Sequence, residues 1–184
     1  MDLVVVSARS ALLNVLTPKH WTLADGAFKA PHHWRPWLQD SGSLTRRLSR
    51  AAGGEFAVRV LSQCWAVPSA DEALALGMPP RQRALIREVE LLGRDGAPWV
   101  YARSVLPAAT LTGQERRLAL LGNRSLGSLM FSDPSLTRSP LRVCCLHDGS
   151  RRYWARRSVF RLHRKPLLVC EVFLPGMEHV QYPL

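Results

Sequence analysis

Two blocks of short apolar runs, each handed to the next by a tight-turn signal, constrain this chain more than any other feature. In the first block, Ala84 to Leu92 and Trp99 to Leu106 flank Gly93-Arg94-Asp95-Gly96, where Asp-Gly tolerates the positive φ of a hairpin turn. In the second, Leu141 to Leu146, Tyr153 to Leu162 and Leu167 to Leu174 are separated by Asp148-Gly149 and Arg164-Lys165-Pro166. Phe56 to Val67 adds a further strand-like run. Strands this close together pair antiparallel, because a parallel crossover needs a dozen or more residues. The expected fold is a single α+β domain, a sheet of about six antiparallel strands with helices gathered between the first three and the last three.

The helical signals are local. Ser43 or Thr45 starts a short helix that Gly53-Gly54 ends, and Asp71-Glu72-Ala73-Leu74 makes a helical turn closed by Gly77. Thr112 with Glu115 three residues later reads as a capping box for a helix running to Leu121, and Ser125 to Phe131 adds another turn. Residues 1–36, interrupted by Pro18, Pro31 and Pro36, hold no sustained period and read as an irregular or helical arm ahead of a domain over 37–184.

The chain has 184 residues, the size of one ordinary domain. Its net charge is +11, and all but three of its 25 basic residues (Lys19, Lys29 and Lys165) are arginine. That charge asks for an anionic partner. Nucleic acid is not the expected one, since zinc-finger spacing, an RNP-like strand and a helix-turn-helix are all missing from the sequence. No apolar run approaches the ~20 residues of a bilayer span, so membrane insertion is not expected either. Cys64, Cys144, Cys145 and Cys170 form no C-x-x-C pair, and neighbouring Cys144 and Cys145 point to opposite faces of a strand. The opening Met1 to Val6 is too short for a signal-peptide core and Arg9 follows at once. Reduced thiols and a cytoplasmic monomer are the expectation.

Period-two alternation places charges on apolar faces. In Ala84 to Leu92, Arg87 shares a side with Leu85, Val89 and Leu91; in the last strand Glu171 shares one with Leu167, Val169 and Phe173. Arg103 lies with Trp99, Tyr101 and Val105. Isolated buried charges are costly and must find partners. Arg87 and Glu171 could simply pair across the sheet. Alternatively, two inward guanidiniums against one glutamate leave a positive interior, which a carboxylate ligand gripped bidentately would neutralise. Arg151, Arg152, Arg156 and Arg157 read as a solvated hairpin face, Trp34 and Trp37 as packing residues, and Ser125-Leu126-Gly127 as a plain loop. The six histidines show neither metal-ligand nor triad spacing.

These segments resemble the chorismate pyruvate-lyase family. The resemblance is carried by Leu85-Ile86-Arg87-Glu88, by Asp95-Gly96-Ala97-Pro98-Trp99 with Arg103-Ser104-Val105-Leu106-Pro107, and by Leu126-Gly127-Ser128-Leu129-Met130-Phe131. Leu136-Thr137-Arg138, Trp154-Ala155-Arg156-Arg157-Ser158 and Lys165 to Pro175 continue it in order, with a weaker match at Ser43-Leu44-Thr45. It implies a six-stranded antiparallel sheet around an internal cavity, no metal and no organic cofactor, and elimination of pyruvate from chorismate to give 4-hydroxybenzoate for ubiquinone. By matching position, Arg87 would grip the ring carboxylate and Glu171 meet the ring hydroxyl. Leu126 would offer backbone to the ligand carboxylate, Arg103 would line the site for the enolpyruvyl carboxylate, and Leu44 stands where the family can have Met. Relative to the family the chain carries an extra residue between Arg87 and Asp95 and a longer arm before Trp37.

Two other readings compete. A similar fold resembles effector-binding domains of bacterial transcription regulators, so a non-catalytic small-anion sensor is the alternative; such regulators carry a DNA-binding winged helix ahead of the sensor, and the ~50 residues before the first long strand are too few and too irregular for one. A basic nucleic acid binder is the third, and steep loss of affinity with salt would mark it.

Overall fold

The structure, a computed structural model, describes residues 21–25, 28–147 and 150–183. Most of the arm expected over 1–36 and the Asp148-Gly149 turn lie outside the described residues. Six long strands occupy the runs read from the sequence: β2 (Ala57–Ala66), β3 (Ala84–Leu92), β4 (Pro98–Pro107), β6 (Arg142–His147), β7 (Arg152–Leu162) and β8 (Lys165–Phe173). Two-residue strands β1 (Thr22–Leu23) and β5 (Thr137–Arg138) bring the sheet to eight, in the order β1-β6-β7-β8-β4-β3-β2 with β5 pairing β7. Every pair is antiparallel.

The β3–β4 hairpin turns where the sequence places it, with Asp95 at φ 57° and Gly96 at φ 67°. Gly93 is required for a different reason: a Cβ there would lie 1.8 Å from the Trp99 ring that packs over it. Among the described residues, four short helices cover the sheet: α1 (Arg35–Gln39), α2 (Leu44–Ala51), α3 (Ala70–Leu76) and α4 (Leu126–Met130). Ser43 caps α2, Ser69 and Glu72 form a capping box on α3, and Ser125 caps α4. The expected box at Thr112 is absent. Residues Gly113–Leu120 form a 3-10 helix without a side-chain cap, and Glu115 instead accepts from Lys165 Nζ at 2.6 Å and meets His163 Nδ1 at 2.8 Å. A tertiary cation has outcompeted the local cap.

One face of the sheet carries two apolar clusters. Trp34, Trp37, Leu44 and Leu48 pack on Val89, Ala102 and Phe173 at one end; Leu118, Leu126 and Met130 pack on Leu85, Leu106 and Phe160 at the other. The polar side chains of the cavity lie in the belt between them. The opposite face, under α3, holds paired charges among apolar side chains. Arg157 makes two hydrogen bonds to the Asp71 carboxylate and lies 4.4 Å from the Trp21 ring, while Arg103 binds Glu72 and Glu88.

Arg157 and Asp71 are both buried, so removing one strands the other's charge in a dry environment. Arg157→Ala should cost about 3–5 kcal/mol of folding stability, read from denaturant unfolding; a cost under about 1 kcal/mol, the range of a solvated pair, would contradict this account of how α3 is anchored.

Candidate active site

Cross-strand register assembles the site. Arg87 on β3 stands opposite Ser104 on β4, which stands opposite Val169 on β8; Glu171 is flanked by Ala102 on β4 and Arg156 on β7. Directly opposed residues point to the same face, so Arg87, Ser104, Glu171 and Arg156 share one side. Arg87 and Glu171 are two strands apart, which separates their backbones laterally by about 10 Å. A cavity opens between them, lined also by Leu44, Thr45, Leu126, Met130, Arg138 and Phe160. It is narrow, with a volume of ≈ 40 Å³.

Arg87 is 3% exposed and donates to Gln63 Oε1 at 3.0 Å, to the Gly122 carbonyl at 2.8 Å and to the Arg124 carbonyl at 3.3 Å. No carboxylate is among these acceptors, and burial pushes the guanidinium below its ordinary pKa. The pairing of Arg87 with Glu171 weighed from the sequence is not formed. Glu171 instead accepts from Arg156 Nε at 2.6 Å. Arg156, 1% exposed, also donates to the carbonyls of Trp37 and Asp40 at 2.7 and 2.8 Å. Arg138 donates to Ser158 Oγ at 2.9 Å and to the carbonyls of Ser41 and Gly42 at 2.7 and 3.4 Å, with its guanidinium 4.7 Å from the Phe160 ring. Desolvation, and then the neighbouring charge of Arg156, lower the Arg138 pKa to about 10.

The roof is formed where α2 and α4 meet. Thr45 Oγ1 and Ser125 Oγ are 2.6 Å apart, and a Cβ on Gly127 would come within 2.8 Å of Thr45 Oγ1, so only glycine lets the helices approach this closely. Leu44 and Leu126 are the first residues of these helices. The Leu126 N–H is therefore outside the intrahelical hydrogen-bond ladder.

Four of the five residues singled out from the sequence, Arg87, Glu171, Leu126 and Leu44, line one cavity. Arg103 does not. The hairpin register sets it opposite Glu88, on the reverse face, where Nε donates to Glu72 at 2.7 Å and Nη1 to Glu88 at 3.0 Å. Alternation within β4 could not reveal this, because the strand is apolar on both sides and only pairing with β3 distinguishes them. The arginines that do share the cavity with Arg87 are Arg124, Arg138 and Arg156. Arg156 and Arg157, expected in solvent, are buried; Arg151 and Arg152 are exposed. The signal for Arg156 was present, since alternation sets it with Trp154, Ser158 and Phe160 on an aromatic face, but four arginines in seven residues masked it.

The sequence pattern of the chorismate lyase family matches residues 15–180. This chain belongs to that family. A protein of Aromatoleum aromaticum named probable chorismate pyruvate-lyase is 44% identical over 163 residues, covering 80% of this chain and 87% of the relative. A Pseudomonas aeruginosa protein of the same name is 42% identical over 164 residues, covering 85% and 92%. Among solved structures, PhnF of Mycobacterium smegmatis superposes with a TM-score of 0.54 at 14% identity, covering 74% of this chain and 65% of that one. A GntR-family transcriptional regulator of Bacillus cereus gives 0.50 at 13%, covering 71% and 99%. These two likenesses concern the fold alone. As a chorismate lyase family member the chain is a lyase by kinship, and the antiparallel α+β sheet expected from its sequence is the one observed.

The turn 37–42 supplies carbonyls to both Arg156 and Arg138, and Asp40 braces it. Burial opposes the Asp40 charge, but the Gly42 N–H, the Tyr182 hydroxyl and the Arg47 guanidinium together hold its pKa below the ordinary 3.8. A folded pKa below the unfolded one stabilises above the unfolded value and stops stabilising as pH falls through the folded value. Unfolding free energy measured against pH should therefore drop below about pH 4, and the drop should shrink in Asp40→Asn; an identical acid limb in the variant would remove Asp40 from this role.

Proposed function

We propose that this chain eliminates pyruvate from chorismate and releases 4-hydroxybenzoate, the first committed step of ubiquinone synthesis. The observation that carries the reading is the charge of the cavity wall: Arg87, Arg138 and Arg156 converge on a buried space with Glu171 as the acidic counterpart. Such a wall favours a dianion, and chorismate is a dianion whose ring is one elimination from aromaticity.

The chemistry asks little beyond positioning and electrostatics. The ether bond between ring carbon and enolpyruvyl oxygen breaks, and its electron pair leaves with the side chain. The hydrogen on the ring carbon bearing the hydroxyl is lost as a proton, its electrons complete the aromatic ring, and the departing enolpyruvate takes up a proton as pyruvate. Arg87, oriented by three neutral acceptors, retains its charge for the ring carboxylate. Glu171, across the cavity from Arg87, takes the ring hydroxyl in this reading, next to the hydrogen that leaves. The elimination is redox-neutral overall, and aromatisation of the ring drives it. An aromatic product gripped by buried charges leaves slowly, so product inhibition is expected.

Outside the cavity, a groove of ≈ 800 Å³ carries Arg46 and Arg50 and shares Thr45, Arg124 and Phe131 with it. A basic approach of this kind steers anions and is screened by salt.

Purified protein mixed with chorismate should release pyruvate and an ultraviolet-absorbing benzoate in equal amounts; prephenate or an aminobenzoate would place the chain in another branch of chorismate chemistry. Arg87→Ala and Glu171→Ala should each lower kcat/KM by about 10²–10⁴ with the fold retained, and turnover near the wild-type level would exclude them from the site. Raising ionic strength from ~0.01 to ~0.15 M, which shortens the screening length from ~30 to ~8 Å, should lower kcat/KM. A flat response would show that the groove does not steer substrate.

A further inference from the structure

Chorismate and 4-hydroxybenzoate differ by one carboxylate, the one on the side chain that leaves. The expectation from the sequence assigned that carboxylate to Arg103, which the structure turns to the other face and saturates with Glu72 and Glu88. A second receptor is then required on the cavity side. Arg156 is committed to Glu171 and to the Trp37 and Asp40 carbonyls. Arg124 lines the mouth, but its guanidinium folds back on the Leu120 and Leu121 carbonyls of its own turn.

Arg138 is half-buried where Arg124 is exposed, and unlike Arg156 it donates to no carboxylate. It lines the cavity, and its hydrogen bonds run to a serine hydroxyl and two backbone carbonyls, all neutral. It belongs to β5, which pairs with β7 beside Phe160, the strand that delivers Arg156 to Glu171. It therefore flanks the end of the cavity where the ring hydroxyl is assigned, and the enolpyruvyl ether occupies the ring carbon next to that hydroxyl. Burial and Arg156 both disfavour the Arg138 charge, with Glu171 and Asp40 opposing them; an anion arriving there would relieve the penalty.

We propose that Arg138 binds the enolpyruvyl carboxylate and so distinguishes substrate from product. The assignment rests on the chorismate lyase reading of the site. It gives the site an asymmetry useful for turnover: once the side chain has departed as pyruvate, Arg138 holds no part of the remaining monoanion.

The test compares two ligands in one variant. Arg138→Gln should lower kcat/KM for chorismate by about 100-fold, as expected for a lost charge-assisted pair. The dissociation constant for 4-hydroxybenzoate, titrated on the same preparation, should stay within about threefold of wild type. Arg138→Lys should recover part of the chorismate loss and none of any product loss. If Arg138→Gln does not fold, Arg138→Lys carries the same comparison, because a displaced ammonium should still weaken chorismate more than 4-hydroxybenzoate. Parallel loss for both ligands would overturn the proposal in favour of Arg138 acting only as a tie to Ser41 and Gly42, and unchanged chorismate kinetics would overturn it outright. Failure of the wild-type protein to release pyruvate would instead remove the reaction assignment itself, an outcome separable from either.

Discussion

Strand β8 lies between β4 and β7, and the register on its two sides sets Glu171 between Ala102 and Arg156. Alternation then distributes charge across the sheet. Arg156 turns to the cavity and meets Glu171, whereas its neighbour Arg157 turns to the reverse face and meets Asp71. A slip of one residue in β7 would exchange them and strand both acids. The cost of unpaired buried charge, several kcal/mol per ion, thus specifies the register more sharply than the apolar side chains, which occur on both faces.

The sheet separates two electrostatic regimes. On the reverse face acids and guanidiniums are matched: Arg103 with Glu72 and Glu88, Arg157 with Asp71, Arg59 with Glu90. There the ion pairs anchor α3 and the outer strand β2. On the cavity face Arg87 and Arg138 are held by neutral acceptors, carbonyls of the 37–42 and 122–124 turns together with Gln63 and Ser158. Orientation by neutral groups keeps a guanidinium in place without cancelling its charge. That is the physical difference between an arginine that stabilises a fold and one available to a ligand.

Much of the architecture was legible in the chain. The six long strands, the hairpin at Asp95-Gly96 and the caps at Ser43 and Ser125 depend on local alternation, turn chemistry and short-range hydrogen bonds, all carried by neighbouring residues. The inward turn of Arg87 and Glu171 was legible for the same reason, since Arg87 is the lone charge on its face of β3 and Glu171 the lone charge on its face over Leu167 to Phe173. What misled was locality itself. Thr112 and Glu115 have the spacing of a cap, yet Lys165, fifty residues away, holds the glutamate. Arg156 and Arg157 sit in an arginine-rich run that resembles a wet surface until α1 and α3 are laid over it.

By itself, then, the sequence determined the strands, their turns, the family and the two charged residues at opposite ends of the cavity, because periodicity and ordered motifs are properties of contiguous residues. Only the tertiary structure decided which arginines accompany them. The face of Arg103 depends on pairing with β3, the burial of Arg156 on the carbonyls of Trp37 and Asp40 more than a hundred residues earlier, and the place of Arg138 on a two-residue strand. Each is set by a partner distant in sequence, and the free energy of a buried charge depends on that partner rather than on its neighbours along the chain.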